Sequence, residues 1–412
     1  MSRYFFHLGR LYSISTAEIL SFFNEEDIKT LNEKLAVVEI EKNFTKHEIQ
    51  NLLDRIGGTI KISKIFAENI EIPDINEKIQ EYLIRNYGNN PKIIFGINII
   101  NLNPNSGVFM ENILKNLKKD LQKEGFSCRY LNKGTKNIEI PIYFKEKLFS
   151  DKGTEINIIK NDNKIYLSES QGVQDIDEYS KRDFSKPFRD PTTGMLPPKL
   201  AQIMINLGIN SKFKIQNSKF IVDPFCGSGT VLMEAALMGL DSIGSDISSV
   251  QSNGAILNMQ WIKNYFNLSN ISFDVNTKDA RNLQIDRKTA KTSVIVTEGY
   301  LGPPRKFAPD KTEMDRSNNQ ILLLYKNFFG RCQELGIPKI VITLPVFRKD
   351  REYILLKGFF EMVKKIGYEI QNPFSESFLQ KYKFLKLSKR NTLIYDREDQ
   401  IVGREIVVIS NR

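Results

Sequence analysis

The sequence predicts an α/β protein: a doubly wound, mostly parallel sheet in the C-terminal half, preceded by a smaller α+β region. Three observations predict it. The apolar run Ile221-Val222-Asp223 enters a turn holding Gly227 and Gly229, and the turn opens directly into a helix near Thr230. Asp246 closes a second short apolar run one helix later, where a doubly wound sheet places the carboxylate that grips ribose hydroxyls. Beyond it, apolar runs keep alternating with amphipathic helices, as parallel strands joined by crossovers require.

Taken in order, residues 3–10 read as a strand, and Ser15-Thr16 ahead of AEILSFF caps an amphipathic helix. Residues 35–40 read as a strand, 46–56 as a helix and 59–62 as a strand. A second unit starts with the strand 93–99. Its helix over 111–124 carries Lys115, Lys118, Lys119 and Lys123 and ends at Gly125. Residues 127–130, including Arg129, and 137–140 read as two more strands. The expected units are therefore 1–90, 91–165, a polar and proline-rich linker over 166–196, and a C-terminal domain over 197–412.

In that domain Pro198 suits a first helical turn, and an apolar-periodic helix follows from Lys199. Gly227 and Gly229 let the backbone approach a ligand that a Cβ would block. The helix from Thr230 points its free N–H groups at the same spot. With Asp223 and Pro224 before it, the turn suits a nucleotide-like ligand without discriminating among nucleotides. It lacks the third glycine of GxGxxG, and no Lys-Ser/Thr pair follows as in a phosphate-binding P-loop. Residues 271–275, 293–297 and 339–344 read as the third, fourth and fifth strands, and 392–395 with 404–409 as a terminal antiparallel hairpin.

At 412 residues the chain has room for two or three domains, and 41% hydrophobic residues is ordinary for a globular protein. No apolar run approaches membrane-spanning length and the N-terminus lacks signal-peptide anatomy, so a cytoplasmic protein with no membrane partner is expected. Cys128, Cys226 and Cys332 stand far apart, which argues against a zinc site; with only two histidines, no metal site is expected. The net charge of +10 favours a polyanionic partner, although an Ile-, Lys- and Asn-rich composition also follows from AT-biased coding.

The motifs DPFCGSGT and SIGSDIS resemble the first two of the S-adenosylmethionine-dependent methyltransferases that modify exocyclic amines of bases. The preceding GVQDIDEYSKRDFSKPFRDPTTGMLPPKLA is similar to the segment ahead of the glycine loop in the THUMP-linked tRNA guanosine N2-methyltransferases of archaeal and eukaryotic type. FGIN, the lysine-rich helix and SCRY resemble a THUMP domain, with 1–90 as its ferredoxin-like partner. The resemblance covers most of the chain and is densest over 173–246. It implies a Rossmann-like, seven-stranded methyltransferase domain and S-adenosyl-L-methionine as cofactor. Asp223, Pro224, Gly227, Gly229, Thr230, Asp246 and Ile247 would hold that cofactor, and Asp279 would accept from its adenine amine. Arg189, Gly194, Met195, Leu196 and Pro197 would line its methionine end. It also implies tRNA as partner, with Lys115, Lys118, Lys119, Lys123 and Arg129 as RNA contacts; a solvated helix face is the plainer reading of the same lysines. The need for a small activating protein subunit is left open.

Amine methyltransferases usually end the fourth strand with Asn/Asp-Pro-Pro-Tyr, whose polar group and backbone carbonyl accept from the amine while the ring stacks on the flipped base. Here the strand ends Thr297-Glu298-Gly299-Tyr300-Leu301-Gly302-Pro303-Pro304. Glu298 restores a carboxylate one position later, Tyr300 keeps the ring, and Thr297 is a third, weaker candidate. The stiffness of the missing prolines has to come from elsewhere, Pro303 and Pro304 being the nearest source. Besides a tRNA guanine N2-methyltransferase, two alternatives fit: a DNA adenine or cytosine amine methyltransferase, and a catalytically degenerate RNA-binding protein that keeps the fold.

Overall fold

The computed structural model describes residues 1–102, 106–134, 136–190, 195–209, 220–303, 307, 309, 311–349, 352–397 and 400–412, in two compact units. One gathers Met1–Gly9, Glu26–Asp54 and Thr59–Asp175; the other gathers Arg10–Glu25, Arg55–Gly58 and Ile176–Arg412.

The first unit is built on one eight-stranded sheet, in the spatial order Ile28–Leu31, Leu35–Ile40, Ser2–Leu8, Thr59–Glu68, Lys164–Val173, Thr154–Asn161, Ile93–Ile100, Cys128–Tyr130. The boundary expected at residue 90 therefore falls inside a single sheet. Helices Ile75–Tyr87 and Ser106–Lys123 cover it with stripes such as Leu114, Leu117 and Leu121, spaced for one helical face, against Phe95 and Ile97.

Two expectations here are corrected. The linker does not start at 166, because Lys164–Val173 is a buried strand in the middle of the sheet. Its polar side chains are satisfied internally. Glu169 accepts from Tyr82 (2.7 Å), Thr154 (2.8 Å), Gln171 (2.7 Å) and the Tyr87 hydroxyl, and pairs with Lys46 at 3.0 Å. The strand expected at 137–140 is also absent: the backbone there enters the short helix Ile140–Lys145, with Pro141 in its first turn. Asparagine side chains take over the pairing. Asn132 bonds both backbone groups of Ile97 (2.9 and 2.7 Å) and Asn137 both of Ile99 (2.9 and 3.2 Å).

The second unit has a nine-stranded sheet. Five parallel strands come in the order Phe273–Thr277, Asp241–Asp246, Phe220–Asp223, Ser293–Glu298, Lys339–Lys349. Val402–Asn411 then inserts antiparallel between Lys339–Lys349 and Tyr368–Gln371. Leu393–Tyr395 pairs with Val402–Asn411 as the expected hairpin, and Glu352–Leu355 pairs with Lys339–Lys349. Strand order reverses between Phe220–Asp223 and Ser293–Glu298, the switch point at which such sheets bind ligands. The helix Tyr12–Phe22 belongs to this unit rather than to the front half. Its buried Glu18 accepts from Gly57 N (2.9 Å), Gly58 N (2.7 Å) and Asn206 Nδ2 (2.7 Å), tying residues 55–58 to the helix Pro198–Ile209. Burial holds this carboxyl up at about 7 against those hydrogen bonds. Among the described residues, no helix is long and apolar enough to cross a membrane.

Burial alone would raise the Glu169 pKa, but Lys46 and the two tyrosines outweigh it and hold the carboxyl below its ordinary 4.5. A depressed carboxylate stabilises the fold above its unfolded pKa, and that contribution is lost as pH falls through the folded value. Glu169→Ala leaves Lys46 and three hydroxyls facing an empty interior, so we expect a loss of about 3–5 kcal/mol near neutral pH. The gap between the variant and the parent in thermal melts should narrow below pH 4.5.

Candidate functional site

The strand Phe220–Asp223 delivers a buried carboxylate to the switch point. Asp223 Oδ1 accepts from Phe225 N at 3.2 Å and from Thr297 Oγ1 at 2.6 Å, and burial pushes the Asp223 carboxyl up to about 7. This bond crosses from the glycine turn to the fourth strand. It also corrects the reading of Thr297 as catalytic, because that side chain is fully buried with its hydroxyl committed.

The turn itself is left-handed at Gly227 (φ +49°) and Gly229 (φ +81°). A Cβ at Gly227 would meet nothing within 4 Å, so this face of the loop is open, whereas one at Gly229 would lie 3.0 Å from Ala255 Cβ. Gly229 thus serves packing against the helix Ser249–Tyr265 as well as turn geometry. Gly227 N donates to Asp246 Oδ2 (3.0 Å) and Ser248 N to Asp246 Oδ1 (2.9 Å), which holds the strand-end carboxylate beside the loop. Ile247 next to it is 71% exposed.

A narrow cleft of about 50 Å³ joins these parts: Asp223, Gly227, Ser228, Thr230, Met195, Leu196 and Glu298 all line it. Pro224 is buried outside that lining, and the Pro197 carbonyl starts the next helix by accepting from Leu200 and Ala201. Asp279 lies outside that lining, next to Lys278, whose N bonds the Asp246 carbonyl at 2.9 Å, and its carboxylate is engaged by the Arg281 guanidinium and caps the turn that follows. Arg189 is exposed with its guanidinium 5.1 Å from the Phe184 ring, outside the cleft lining. Gly194 and Pro304 lie outside the described residues.

Glu298 reaches the cleft as half of an ion pair with the buried Arg404, itself held by Gln400 at 3.0 Å. Tyr300 is 44% exposed on the following loop. The stiffness sought from Pro303 and Pro304 is supplied in part by Tyr325, whose hydroxyl donates to the Tyr300 carbonyl at 3.1 Å. A Cβ at Gly299 would lie 2.1 Å from that hydroxyl and 2.8 Å from the Thr343 carbonyl, so glycine is required where the brace passes. Arg404 and Tyr325, like Lys186 at 3.1 Å from Thr230 Oγ1, escaped the sequence reading. Nothing local marks Arg404 or Tyr325, but Lys186 lies inside the segment that carries the resemblance.

The expected RNA face is less basic than its lysines suggest. Lys115 pairs with Glu111 (2.6 Å), Lys123 with Asp120 (3.1 Å) and Arg129 with Glu146 (2.5 Å), leaving Lys118 and Lys119 exposed between them. In the second unit, a cavity of about 400 Å³ brings Arg10, Arg348 and Lys386 together with Tyr12 and Tyr353. Arg348 also lines a neighbouring cavity of about 590 Å³ with Ser317, Ile321 and Phe347. Gly302 of the Tyr300 loop packs beside Ser317 and Ile321.

Residues 187–298, which hold the glycine loop, Asp246 and Glu298, match the family model described as UPF0020: RMKL-like, methyltransferase domain. The match thus falls on the part of the second unit that holds the switch point of its five parallel strands. The relatives are more particular. The chain is 35% identical over 132 residues to the tRNA (guanine(10)-N2)-dimethyltransferase of Methanothermobacter thermautotrophicus, covering 32% of this chain and 34% of that protein. It is 25% identical over 316 residues to the protein of the same name from Methanocaldococcus jannaschii, covering 74% and 79%. The chain thus spans about a third of the length of the first relative and most of the second. Among solved structures it resembles TrmN from Thermus thermophilus over the whole of both chains, at 12% identity and a TM-score of 0.49.

If Tyr325 braces the loop, Gly299→Ala should displace it and lower the thermal midpoint, with Tyr325→Phe on the Gly299→Ala background restoring part of the loss. An unchanged midpoint in Gly299→Ala would remove the brace from the account.

Proposed function

We propose that this chain is an S-adenosylmethionine-dependent RNA methyltransferase acting on the exocyclic N2 of a guanosine in tRNA. The observation that carries the reading is a single cleft lined by both the glycine loop and the Glu298 carboxylate at the switch point of the sheet. The names of the relatives supply the substrate class. The fit to the cofactor rests on the open face at Gly227 and on Asp246 beside it. The cleft is too small for a nucleoside, so one would lie outside it, beside Asp246 at its strand end, the exposed Ile247 and the half-buried Asp279. When bound, the cofactor supplies an electrophilic methyl group.

Within this chain, Arg404 fixes one oxygen of Glu298, leaving the other to accept a hydrogen bond from the target amine. That acceptance raises electron density on nitrogen and later receives the proton that N-methylation releases. The exposed Tyr300 ring offers a stacking face to an extruded base, and the Tyr325 brace holds its backbone. Phosphates are met by Lys118, Lys119 and, in the cavity, by Arg10 and Lys386, Arg348 there being paired with Asp396 at 2.6 Å. The Glu298–Arg404 pair also favours a second reading, in which the carboxylate is structural and the protein only binds RNA.

Methyl transfer from labelled S-adenosylmethionine to unmodified tRNA, with mapping of the modified nucleotide, tests the proposal; duplex DNA is the comparison substrate. Glu298→Gln should keep cofactor and tRNA binding while turnover falls about 10²-fold or more. A fully active Glu298→Gln, or a parent that binds both ligands and methylates no tRNA, would favour the structural reading. Should transfer appear only after cell extract is added, a small activating subunit becomes part of the reading.

The cavity makes a separate prediction. Replacing both Arg10 and Lys386 by alanine should weaken tRNA binding across sequences. It should also flatten the slope of log affinity against log salt by about 1.4, at roughly 0.7 per lost phosphate contact.

A further inference from the structure

Residues 185–190 are clamped onto the glycine loop. Asn258 bonds both backbone groups of Phe188, each at 2.9 Å, and reaches the Ser228 carbonyl at 2.8 Å. The Phe188 ring packs over Gly254 of the same helix. Two residues earlier, Lys186 is carried into the interior and is only 3% exposed. Its Nζ donates to Thr230 Oγ1 at 3.1 Å and lies 3.5 Å from Ser228 Oγ, and both residues line the cleft.

Among the described residues no carboxylate stands within ion-pair distance of this ammonium, and Glu234 nearby is already paired with Arg182 at 2.9 Å. Burial lowers the Lys186 pKa to about 8, opposed by Asp183 and Glu234 and reinforced by Arg189. Buried charges are normally paired, and a desolvated ammonium held only by hydroxyls lacks its counter-ion. The cleft that its two hydroxyl partners line is too small for a nucleoside. The free N–H groups at the start of the helix Thr230–Leu237 add to the same positive field.

We propose that Lys186 is the counter-ion for the carboxylate at the amino-acid end of S-adenosylmethionine. This deepens the cofactor reading above and rests on it. Lys186 is on this account a binding residue that seats the donor, while Glu298 and Tyr300 meet the methyl acceptor. The linker that carries it becomes part of the cofactor site, which links the residues before the glycine loop to the loop itself.

The test compares two ligands that differ at the carboxylate: S-adenosylmethionine and its decarboxylated form, titrated calorimetrically into the full chain. Lys186→Met should weaken S-adenosylmethionine about tenfold or more, the worth of one charge-assisted hydrogen bond, and change the decarboxylated form by less than about twofold. Lys186→Arg should recover part of the difference. The ligand-free Lys186→Met protein should melt no lower than the parent, because an uncompensated buried charge has gone. Equal losses for both ligands would make Lys186 a packing residue, and equal affinities of the parent for both would show that no group reads the carboxylate; either overturns the proposal. A parent that binds neither ligand defeats the cofactor reading instead. Should Lys186→Met fail to fold, the same ratio of affinities is read on Lys186→Gln.

Discussion

The hydrogen bond between Thr297 Oγ1 and Asp223 Oδ1 joins the two strands whose order reverses, and the rest of the site is hung from it. One end belongs to the strand that feeds the glycine turn, the other to the strand that ends at Glu298. Because the same Asp223 oxygen also accepts from Phe225 N, the turn starts from a fixed direction. Parallel strands here are buried on both faces, so a polar pair among them is tolerated only when its members satisfy each other. The pair sets the separation between the loop that would hold a donor and the carboxylate that would hold an acceptor.

Further polar groups are buried with their partners close by. Glu18 gathers three donors and binds residues 10–25 and 55–58 into the second unit. Glu169 gathers a lysine and several hydroxyl and amide donors in the centre of the first sheet. Glu405 accepts from Thr392 and Arg390 under the terminal hairpin. Each is a full constellation, and against that pattern Lys186 reaches only two hydroxyls, those of Ser228 and Thr230.

What was legible in the sequence follows from how local each signal is. The glycine turn, Asp246, and the apolar runs at 221–223, 293–297 and 339–344 carry their meaning within a few residues, and each falls on the corresponding strand or turn. Lys164–Val173 was hidden because Ser168, Glu169, Ser170 and Gln171 read as a polar linker until partners as distant along the chain as Lys46, which pairs with Glu169, are in view. Residues 137–140 have the composition of a strand, but Asn132 and Asn137 had already used their amides to occupy the neighbouring backbone. The lysines of Ser106–Lys123 are a basic helix by composition, yet Glu111 and Asp120 sit one turn from two of them and neutralise them locally.

The fourth-strand loop shows how one motif is rebuilt from distant parts. A diprolyl backbone is stiff because its own φ angles are locked. Glycine at 299 gives that stiffness up, but the space its missing Cβ leaves is where Tyr325 approaches to hold the Tyr300 carbonyl. Glu298, one position from where the usual polar residue stands, swings its carboxylate toward Arg404, 106 residues further along the chain. Each departure makes room for, or use of, a brace from another element: glycine without Tyr325 would leave the loop loose, and a carboxylate without Arg404 would be a half-buried charge with no fixed direction. The changes are therefore coupled: a carboxylate with one fixed oxygen and a ring on a braced backbone, the two properties the proposed chemistry would ask for, are held by tertiary contacts in place of local backbone rigidity.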